Sequence, residues 1–343
     1  MELLLTNRQP AKFPGIKNTG ELFRKCLYDY DSLNIATGFI SSDALIELNK
    51  IVEDNNGPHI ELMIGMHYFE GFTIAQYQAA EKLHETLSSK ALGKVYICNT
   101  QPFHGKMYSF SKGDEFVFIM GSSNLFSCLS PYSKNYESDI LINDSGTAKA
   151  YSNYLIQIIT KLSDPFEKVS ECPIIKNNFL LKNQSGVKKI TIDEMSRLDY
   201  ILTDIKFNLP LKSTPKSNLN VFFGKGREDK RNRVLPRPWY EVELIVPQII
   251  KSKSNFPYLQ EFEVFTDDGW RFKCKTSGDK SKNFRSCGDL LTLGKWIKGR
   301  LEESRCLNIG DPVTEDVLDH YGRKDIELIK TKKEGLWKLC FDV

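Results

Sequence analysis

The first half of the chain alternates short apolar runs with longer segments whose apolar residues recur at helical spacing. Short apolar runs are typical of buried strands, and the longer periodic segments are typical of amphipathic helices. This alternation predicts an α/β architecture, with helices packed on a central sheet. The predicted strands cover residues 33–40, 59–66, 94–99, a run through 104–106, 116–120 and 136–142, and the predicted helices cover 43–53, 73–89 and 147–162.

The sequence changes character after residue 162. Residues 163–186 have no sustained period and contain two prolines and two consecutive asparagines, which are typical of loops. Beyond them, short strand-like runs predominate, and they indicate a β-rich domain. The predicted strands of this half are 221–223, 239–245, 262–265, 270–275 and 335–341, with helices at 192–198 and 290–301. We therefore predict an α/β domain at 1–165, a linker at 166–186 and a β-rich domain at 187–343.

Composition narrows the class of protein. The chain has 343 residues and a formal net charge of +3, so any nucleic-acid surface must come from local clustering of charge. Its eight cysteines form no Cys-x-x-Cys pair, which argues against a structural zinc site and fits reduced thiols. No apolar run approaches the ~20 residues of a membrane span. The expectation is a cytoplasmic protein without a metal or other cofactor.

One segment carries reactive side chains in a suggestive order. His104 and Lys106 are two residues apart, the turn Gly121–Asn124 follows an apolar run, and Glu137 comes soon after. Residues two apart on a strand face the same side, so the imidazole and the ammonium are expected to point to one spot. A phosphodiester needs its charge neutralised, which Lys106, Ser122 and Asn124 could do. Imidazole can attack phosphorus or deliver a proton, and Glu137 could orient His104 by accepting its other ring proton.

This ordered set resembles the phospholipase D superfamily, whose half-site motif is His-x-Lys, then Gly-Ser-x-Asn, then Glu. The resemblance covers His104, Lys106, Gly121 with Ser122, Asn124 and Glu137. The longer motif of the superfamily has an aspartate five residues after the lysine, where this chain has Ser111. The resemblance implies a phospholipase D-like catalytic domain at 1–165, with His104, Lys106, Ser122, Asn124 and Glu137 as its catalytic residues.

The superfamily uses two histidines, one attacking phosphorus to form a phosphohistidine and one protonating the leaving oxygen. The four other histidines of this chain, His59, His67, His84 and His320, all lack a lysine two residues later. The second histidine is therefore expected from another copy of the chain. This predicts a homodimer through the catalytic domain, with one composite site and sequential cleavage of two strands. We expect His67 itself to be a packed or partly exposed residue at a strand end.

Two stretches of the second half concentrate positive charge. Cations cluster in a glycine-bearing segment at 225–237 and on a predicted strand and loop at 271–285, where Arg271, Lys273 and Lys275 share one strand face. Basic residues with interleaved asparagine suit phosphate and base contacts. The predicted DNA-binding residues are Lys225, Arg227, Lys230, Arg231, Arg233, Lys273, Lys280, Lys282, Asn283 and Arg285.

Together, a single half-site and a basic β-rich domain resemble the BfiI- and NgoFVII-like restriction endonucleases. In that family the C-terminal half is a pseudobarrel, related to the DNA-binding domain of plant transcription factors, that grips the major groove with two arms. The resemblance places those arms at 224–237 and 277–287. It implies a metal-independent type II enzyme that cuts double-stranded DNA at specific sites, with a cognate DNA methyltransferase in the same system.

Two other function classes stay open. A phosphodiesterase of the same superfamily could act on lipid head groups, or on nucleic acid without sequence preference. A DNA-binding regulator could carry an inactive nuclease domain, although every motif position is filled here. Neither the recognition sequence nor the cut position can be read from the residues, because arm geometry decides which side chain meets which base.

Overall fold

The computed structural model describes residues 1–55, 57–130, 133, 135–175, 180–182, 184–215, 217–228 and 234–343. The chain divides into two compact units, Met1–Asn177 and Asn178–Val343. The predicted domain limits at 165 and 187 fall close to this division, and the linker between them stays a prediction.

The first unit alternates strands and helices, as its sequence pattern predicts. Its strands are β1 Glu2–Leu5, β2 Lys17–Asn18, β3 Ser32–Thr37, β4 His59–Ile64, β5 Phe72–Thr73, β6 Gly93–Cys98, β7 Lys106–Lys112, β8 Glu115–Gly121, β9 Ser138–Ile142, β10 Ser163–Pro165 and β11 Ile174–Ile175. Its helices are α1 Thr19–Asp29, α2 Ser42–Asn55, α3 His67–Glu70, α4 Ile74–Ser89, α5 Leu125–Leu129 and α6 Ser145–Leu162.

Among the described residues, nine of these strands form one mixed sheet in the order β10-β6-β4-β3-β7-β8-β9-β1-β2. The parallel core β3-β4-β6 is linked by α2 and α4, and β7, β8 and β9 continue the sheet as antiparallel neighbours. Side-chain caps fix where the helices begin: Thr73 and Gln76 form a capping box on α4, and Asp144 caps α6. The chain therefore enters each helix at a defined point beside the sheet.

Both faces of the sheet are packed by helices. On one face, α6 buries Ala148, Leu155 and Ile159 against Phe118 and other sheet residues. On the other face, Phe23 of α1 meets the rings of Tyr108 and Phe110 edge-on at 5.1 and 5.2 Å. Strand β7 lies at the middle of this two-sided core, so its first residue is held by a rigid framework.

The second unit is rich in strands. Its strands are β12 Lys188–Lys189, β13 Leu202–Pro210, β14 Arg227–Glu228, β15 Val234–Leu235, β16 Leu244–Ile245, β17 Glu261–Thr266, β18 Trp270–Ser277, β19 Asn283–Ser286, β20 Asp325–Thr331 and β21 Leu336–Cys340. Its helices are α7 Ile192–Asp199, α8 Gln248–Lys251, α9 Thr292–Glu303 and α10 Glu315–Tyr321. In the described part of the chain, one sheet runs β13-β20-β21-β17-β18-β19-β16, with β12 added beside β18.

Two predicted strands of this unit are wrong. Residues Val221–Phe223 form a 3-10 turn. In the segment 239–245 only Leu244–Ile245 pairs as a strand, because Glu241 N–H closes a turn on the carbonyl of Pro238. Trp239 and Tyr240 are buried at that turn and pack as core residues.

Charge is distributed unevenly over the two units. Residues 1–177 contain 16 Lys and Arg against 20 Asp and Glu, whereas residues 178–343 contain 31 against 24. The first unit is therefore acidic and the second is basic. All eight cysteines are free thiols. In the part of the chain that the structure describes, no helix combines the length and apolar character needed to cross a membrane.

Candidate active site and DNA interface

The His-x-Lys pair lies at the start of β7, but the two residues are not on one strand. Lys106 is the first residue of β7, and exposed His104 precedes the strand. The predicted strand is therefore wrong in its bounds, although the oxygen of Gly105 still accepts from Gly38 N–H in continuation of the β3–β7 register. Lys106 Nζ nevertheless donates to the backbone oxygen of His104 at 2.6 Å and lies 3.3 and 3.4 Å from its two ring nitrogens. The imidazole and the ammonium therefore do share one spot.

Lys106 is a buried cation, with 7% of its surface exposed. Burial lowers the pKa of its ammonium from the usual value, and the nearby Glu137 carboxylate opposes that shift. A cation held under an exposed imidazole is poorly hydrated. It will interact strongly with an anion that approaches His104.

The ring of Phe39 lies between two histidines. It meets the His104 ring edge-on at 5.5 Å and the His67 ring at 5.6 Å. His67 is buried, its Nε2 accepts from Ile40 N–H, and its Nδ1 lies 3.0 Å from the oxygen of Gly71. Both ring nitrogens are thus engaged, and burial lowers the pKa of this imidazole. His67 is a packed residue that supports Phe39.

The turn Gly121–Asn124 follows β8 and leads into α5, where Asn124 occupies the cap position. Ser122 Oγ donates to Glu137 Oε2 at 2.6 Å, and Ser122 N–H donates to the oxygen of Ser138. A Cβ on Gly121 would lie 2.4 Å from Asp139 Oδ1 and from the oxygen of Ser138, so only glycine fits here. The ends of β7, β8 and β9 thereby bring together all five predicted catalytic residues.

Two further residues hold this arrangement, and sequence reasoning missed both. Thr37 lies opposite Lys106 in the β3–β7 register, and its hydroxyl donates to Asn124 Oδ1 at 3.3 Å. Asp139 is 1% exposed and accepts from Ser123 N–H at 3.0 Å and Ser123 Oγ at 2.6 Å. The spacing of Asp139 two residues after Glu137 is a usable sequence signal, because it puts both carboxylates on one side of an extended segment.

Glu137 makes a different contact from the one predicted. Its oxygens accept from Ser122 Oγ at 2.6 Å and from Ser127 Oγ at 3.4 Å, and its own N–H donates to Thr6 Oγ1. Among the described residues, no hydrogen bond joins Glu137 to His104 of the same chain. Within one chain Glu137 therefore fixes the serine turn, and the expected orientation of His104 by this carboxylate stays a prediction.

The first basic segment is partly described. Lys230, Arg231 and Arg233 lie outside the described residues. Exposed Lys225 pairs with Glu228 at 2.8 Å. Arg227 Nη2 donates to Glu241 Oε1 at 2.7 Å, and Arg237 binds the same carboxylate. The two strands β14 and β15 pair as a short ribbon. The DNA-binding roles predicted for this segment stay predictions.

The second basic cluster is partly neutralised. On β18, Arg271 pairs with Glu263 and Lys275 lies 3.6 Å from Glu261, both on the neighbouring strand β17. The predicted basic strand face is therefore a ladder of ion pairs. Beyond β18, Lys280 and Lys282 are exposed in the turn toward β19. These two lysines are better placed for phosphates than the strand face is.

The other predicted DNA-binding residues have mixed surroundings. Lys273 is exposed on β18, and Asn283 is half-buried at the start of β19. Arg285 is half-buried, with Nη1 3.4 Å from Glu243. Their predicted contacts with DNA stay predictions.

Two family models match the chain. One describes the N-terminal phospholipase D domain of the NgoFVII restriction endonuclease and matches residues 17–170. The other describes the NgoFVII C-terminal B3-like DNA-binding domain and matches residues 199–332. Together they match more than half of the chain. No curated protein sequence matches it.

Three solved structures resemble parts of the chain. Nuc of Salmonella typhimurium, a phospholipase D family member, is 10% identical with a TM-score of 0.34, over 48% of this chain and 96% of its own. NucT from Helicobacter pylori is 14% identical with a TM-score of 0.31, over 43% and 89%. Phosphatidylserine synthase from Haemophilus influenzae Rd KW20 is 14% identical with a TM-score of 0.34, over 50% and 40%.

The two family matches confirm the predicted fold class, a phospholipase D-like α/β domain followed by a β-rich DNA-binding domain. They also fix the enzyme class as a site-specific nuclease, a hydrolase of phosphodiester bonds that binds double-stranded DNA. The chain belongs to the NgoFVII-like type II restriction endonucleases of the phospholipase D superfamily.

Proposed function

We propose that this chain cuts double-stranded DNA through a phosphohistidine on His104, at a composite site built by two copies of the chain. The observation that carries the proposal is the contact of an exposed imidazole with a buried ammonium, beside a turn that presents a hydroxyl and an amide. A nucleophile must be exposed to reach its substrate, and His104 is exposed. A cation that neutralises charge acts more strongly when it is buried, and Lys106 is buried.

The reaction has two displacements. First, a nitrogen of neutral His104 bonds to phosphorus while the bond from phosphorus to the leaving sugar oxygen breaks. The protonated His104 of the second copy gives its proton to that oxygen. The second imidazole, now neutral, takes a proton from water. The resulting hydroxide bonds to phosphorus, the phosphorus–nitrogen bond breaks, and a phosphate monoester leaves with both histidines restored.

We infer a second copy because the other histidines of the first unit are poorly placed to supply the acid. His67 and His84 are buried, and their ring nitrogens contact backbone or side-chain groups. His59 lies opposite Ser32 at the other end of β3, about 17 Å from Thr37 at the usual rise of a strand. One composite site holds one phosphodiester, so the two DNA strands are cut in sequence.

An uncovered apolar patch on the first unit suits the second copy. Leu3 and Ile140 are exposed and directly opposite each other on β1 and β9, and Ile140 faces Met120 on β8. Exposed Tyr151 on α6 continues this surface, 5.7 Å from the Phe118 ring, and exposed Tyr154 follows it. Burying such rings and aliphatic side chains is the main driving force of association.

Lysine side chains can supply the positive charge that neutralises the phosphate, in place of a metal ion. Lys106 from each of two copies gives two ammonium groups near one phosphate. The carboxylates beside the site are engaged elsewhere: Glu137 accepts from two serines, and Asp139 accepts from Ser123 and Thr19. We therefore propose metal-independent cleavage. We also propose a cognate DNA methyltransferase that methylates the same recognition sequence, because the unmethylated DNA of the cell itself would otherwise be cut.

Plasmid cleavage in excess EDTA tests the proposal, with His104→Ala as the variant and His59→Ala as the matched control. Both histidines are exposed and lie in the first unit, but at opposite ends of the sheet. We expect discrete fragments from the parent and from His59→Ala. His104→Ala should lose at least a thousandfold in rate while binding DNA normally. Quenching with alkaline detergent and radiolabelled DNA should trap label on the parent and on His59→Ala, and none on His104→Ala.

Three results would separate the alternatives. Cleavage by His104→Ala at the parental rate would refute the mechanism. A smear of products in place of discrete fragments would be consistent with the proposed chemistry but would refute site specificity. Cleavage that requires added Mg²⁺ would refute metal independence.

A further inference from the structure

The basic segment 225–237, called here the N-arm, is closed at its base by two kinds of contact. Arg227 pairs with Leu235 and Glu228 pairs with Val234, so β14 and β15 form an antiparallel ribbon. The first and last arginines of the N-arm, Arg227 and Arg237, both reach the Glu241 carboxylate. The N-arm therefore leaves the domain from a closed base.

Glu241 is a buried carboxylate with two arginine partners. Its side chain is 1% exposed, Oε1 accepts from Arg227 Nη2 at 2.7 Å, and Oε2 accepts from Arg237 Nε at 2.9 Å. Arg237 Nη2 also contacts Oε1, which makes its contact bidentate. Bidentate arginine–carboxylate pairs combine strength with fixed geometry, and breaking a buried one leaves charge without compensation.

The segment that carries Glu241 is itself fixed to helix α9. Glu302 of α9 accepts from Trp239 Nε1 at 2.9 Å and from Tyr240 OH at 2.8 Å. Lys298 Nζ, one turn earlier, donates to the oxygen of Trp239 at 2.6 Å. A Cβ on Gly294 would lie 1.9 Å from the oxygen of Tyr240, so helix and segment are in direct backbone contact. Glu241 is therefore held in place by α9.

We propose that Glu241 is a positioning residue for DNA recognition: it seats the base of the N-arm through Arg227 and Arg237. In this role the two guanidinium groups hold the arm, and phosphates or bases are contacted by other residues. The proposal rests on DNA binding by the second unit and is independent of the phosphohistidine mechanism. It reassigns Arg227 from DNA contact to arm support.

The direction in which affinity for arbitrary DNA changes distinguishes a positioning role of Glu241 from the loss of a DNA contact. Replacing Glu241 with glutamine leaves two arginines near DNA without their carboxylate. Binding to arbitrary DNA should then become equal or tighter, and its salt dependence steeper by up to about two in the slope of log K against log salt. Preference for the recognition sequence should fall on the order of tenfold, because a loose arm no longer holds its base-reading side chains in register.

The test compares Glu241→Gln with Glu315→Gln, which makes the same charge change on α10, where Glu315 is exposed and pairs with Lys324. All proteins in this test carry His104→Ala and are kept in EDTA, so that DNA is bound and not cut. The protein with no other substitution first selects its preferred duplex from a random-sequence pool. Fluorescence anisotropy then measures the selected duplex and a scrambled 30-base-pair duplex from about 50 to 200 mM KCl. A thermal melt checks folding of each variant.

We expect Glu241→Gln to lose preference while holding or gaining affinity for the scrambled duplex, and Glu315→Gln to match the parent. Arg227→Lys is the second variant, because its half-exposed side chain keeps the charge and loses the forked geometry. It should lose preference in the same direction. Equal preference in Glu241→Gln and Glu315→Gln would overturn the proposal. The proposal would also be overturned if Arg227→Lys kept the parental preference for the selected duplex. It would likewise be overturned if a variant lost affinity for both duplexes in the same proportion, with a weaker dependence of binding on salt.

Discussion

Asp139 offers a direct test of how the serine turn is held. Its carboxylate is buried and accepts three hydrogen bonds, from Ser123 N–H, Ser123 Oγ and Thr19 Oγ1, at 2.6 to 3.0 Å. The substitution Asp139→Asn keeps the shape but removes the charge and replaces one acceptor with a donor. The backbone bond from Ser123 can persist in weaker form, whereas the two hydroxyls must rotate to accept.

The expected magnitude follows from these contacts. A hydrogen bond to a charged group contributes about 1.5–3 kcal/mol, against about 1 kcal/mol for a neutral one. With one bond weakened and two reversed, the first unit should lose about 2–4 kcal/mol of unfolding free energy. Ser123 is flanked by Ser122 and Asn124, so a shift of the turn displaces both donors. A displacement near 1 Å corresponds to about a hundredfold loss in the rate of the chemical step.

The assay uses the placement of the tryptophans. All four, Trp239, Trp270, Trp296 and Trp337, lie in the second unit. In urea unfolding, far-UV circular dichroism should show an earlier transition for Asp139→Asn, while tryptophan fluorescence should change little. Single-turnover cleavage under conditions where the variant is folded should fall on the order of a hundredfold with unchanged DNA affinity.

The matched control is Asp144→Asn. Asp144 caps α6 through Thr147 N–H, and asparagine is an equally good cap. Parental stability and cleavage in Asp139→Asn would refute the reasoning. A loss of stability with parental single-turnover rate would show that Asp139 supports the fold and does not position the turn.

Two further predictions concern stability and assembly. Burial lowers the pKa of Lys298 to about 7 from 10.5, so the folded state carries fewer protons than the unfolded state between those values. Relative to Lys298→Met, the parent should gain unfolding free energy as pH rises from 7 to 9, by at most about 1.4 kcal/mol per pH unit; a pH-independent difference in urea midpoints would contradict this. Tyr154→Glu should weaken the proposed dimer at least tenfold in sedimentation experiments, whereas Tyr200→Glu, also exposed but in the second unit, should not. Equal dimerisation of the two variants would exclude the apolar patch.

The sequence pattern predicts the first unit well, because its strands and helices carry strong local periodicity. Helix α4, for example, extends over Ile74–Ser89 where the pattern predicts 73–89. The pattern fails where backbone contacts between distant residues decide the local shape. Strand β7 begins at Lys106 and leaves His104 outside, and nothing near His104 in the sequence indicates that Gly105 meets Gly38.

The same limit applies to side-chain partners in the site. Thr37 reaches Asn124 across 87 residues of sequence, and only the β3–β7 register brings it beside Lys106. In the second unit, the one-face pattern of Arg271, Lys273 and Lys275 is visible in the sequence, but the glutamates opposite them on β17 depend on strand pairing. Local sequence patterns predict helices, strands and motifs. Which charges are paired and how reactive side chains are oriented depends on contacts between residues that are distant in the sequence.

The ends of the nine-stranded sheet restrict how two catalytic units can associate. At one edge, β10 is three residues long and ends in Pro165, which has no N–H to donate. At the other edge, β2 is a two-residue strand that begins with Lys17. Short, charged or proline-bearing edges oppose the addition of another strand. In the proposed dimer, the edges of the described sheet therefore oppose a continuous intermolecular sheet. We expect the two copies to pack side chains across faces or strand ends, a contact that can separate without breaking backbone hydrogen bonds.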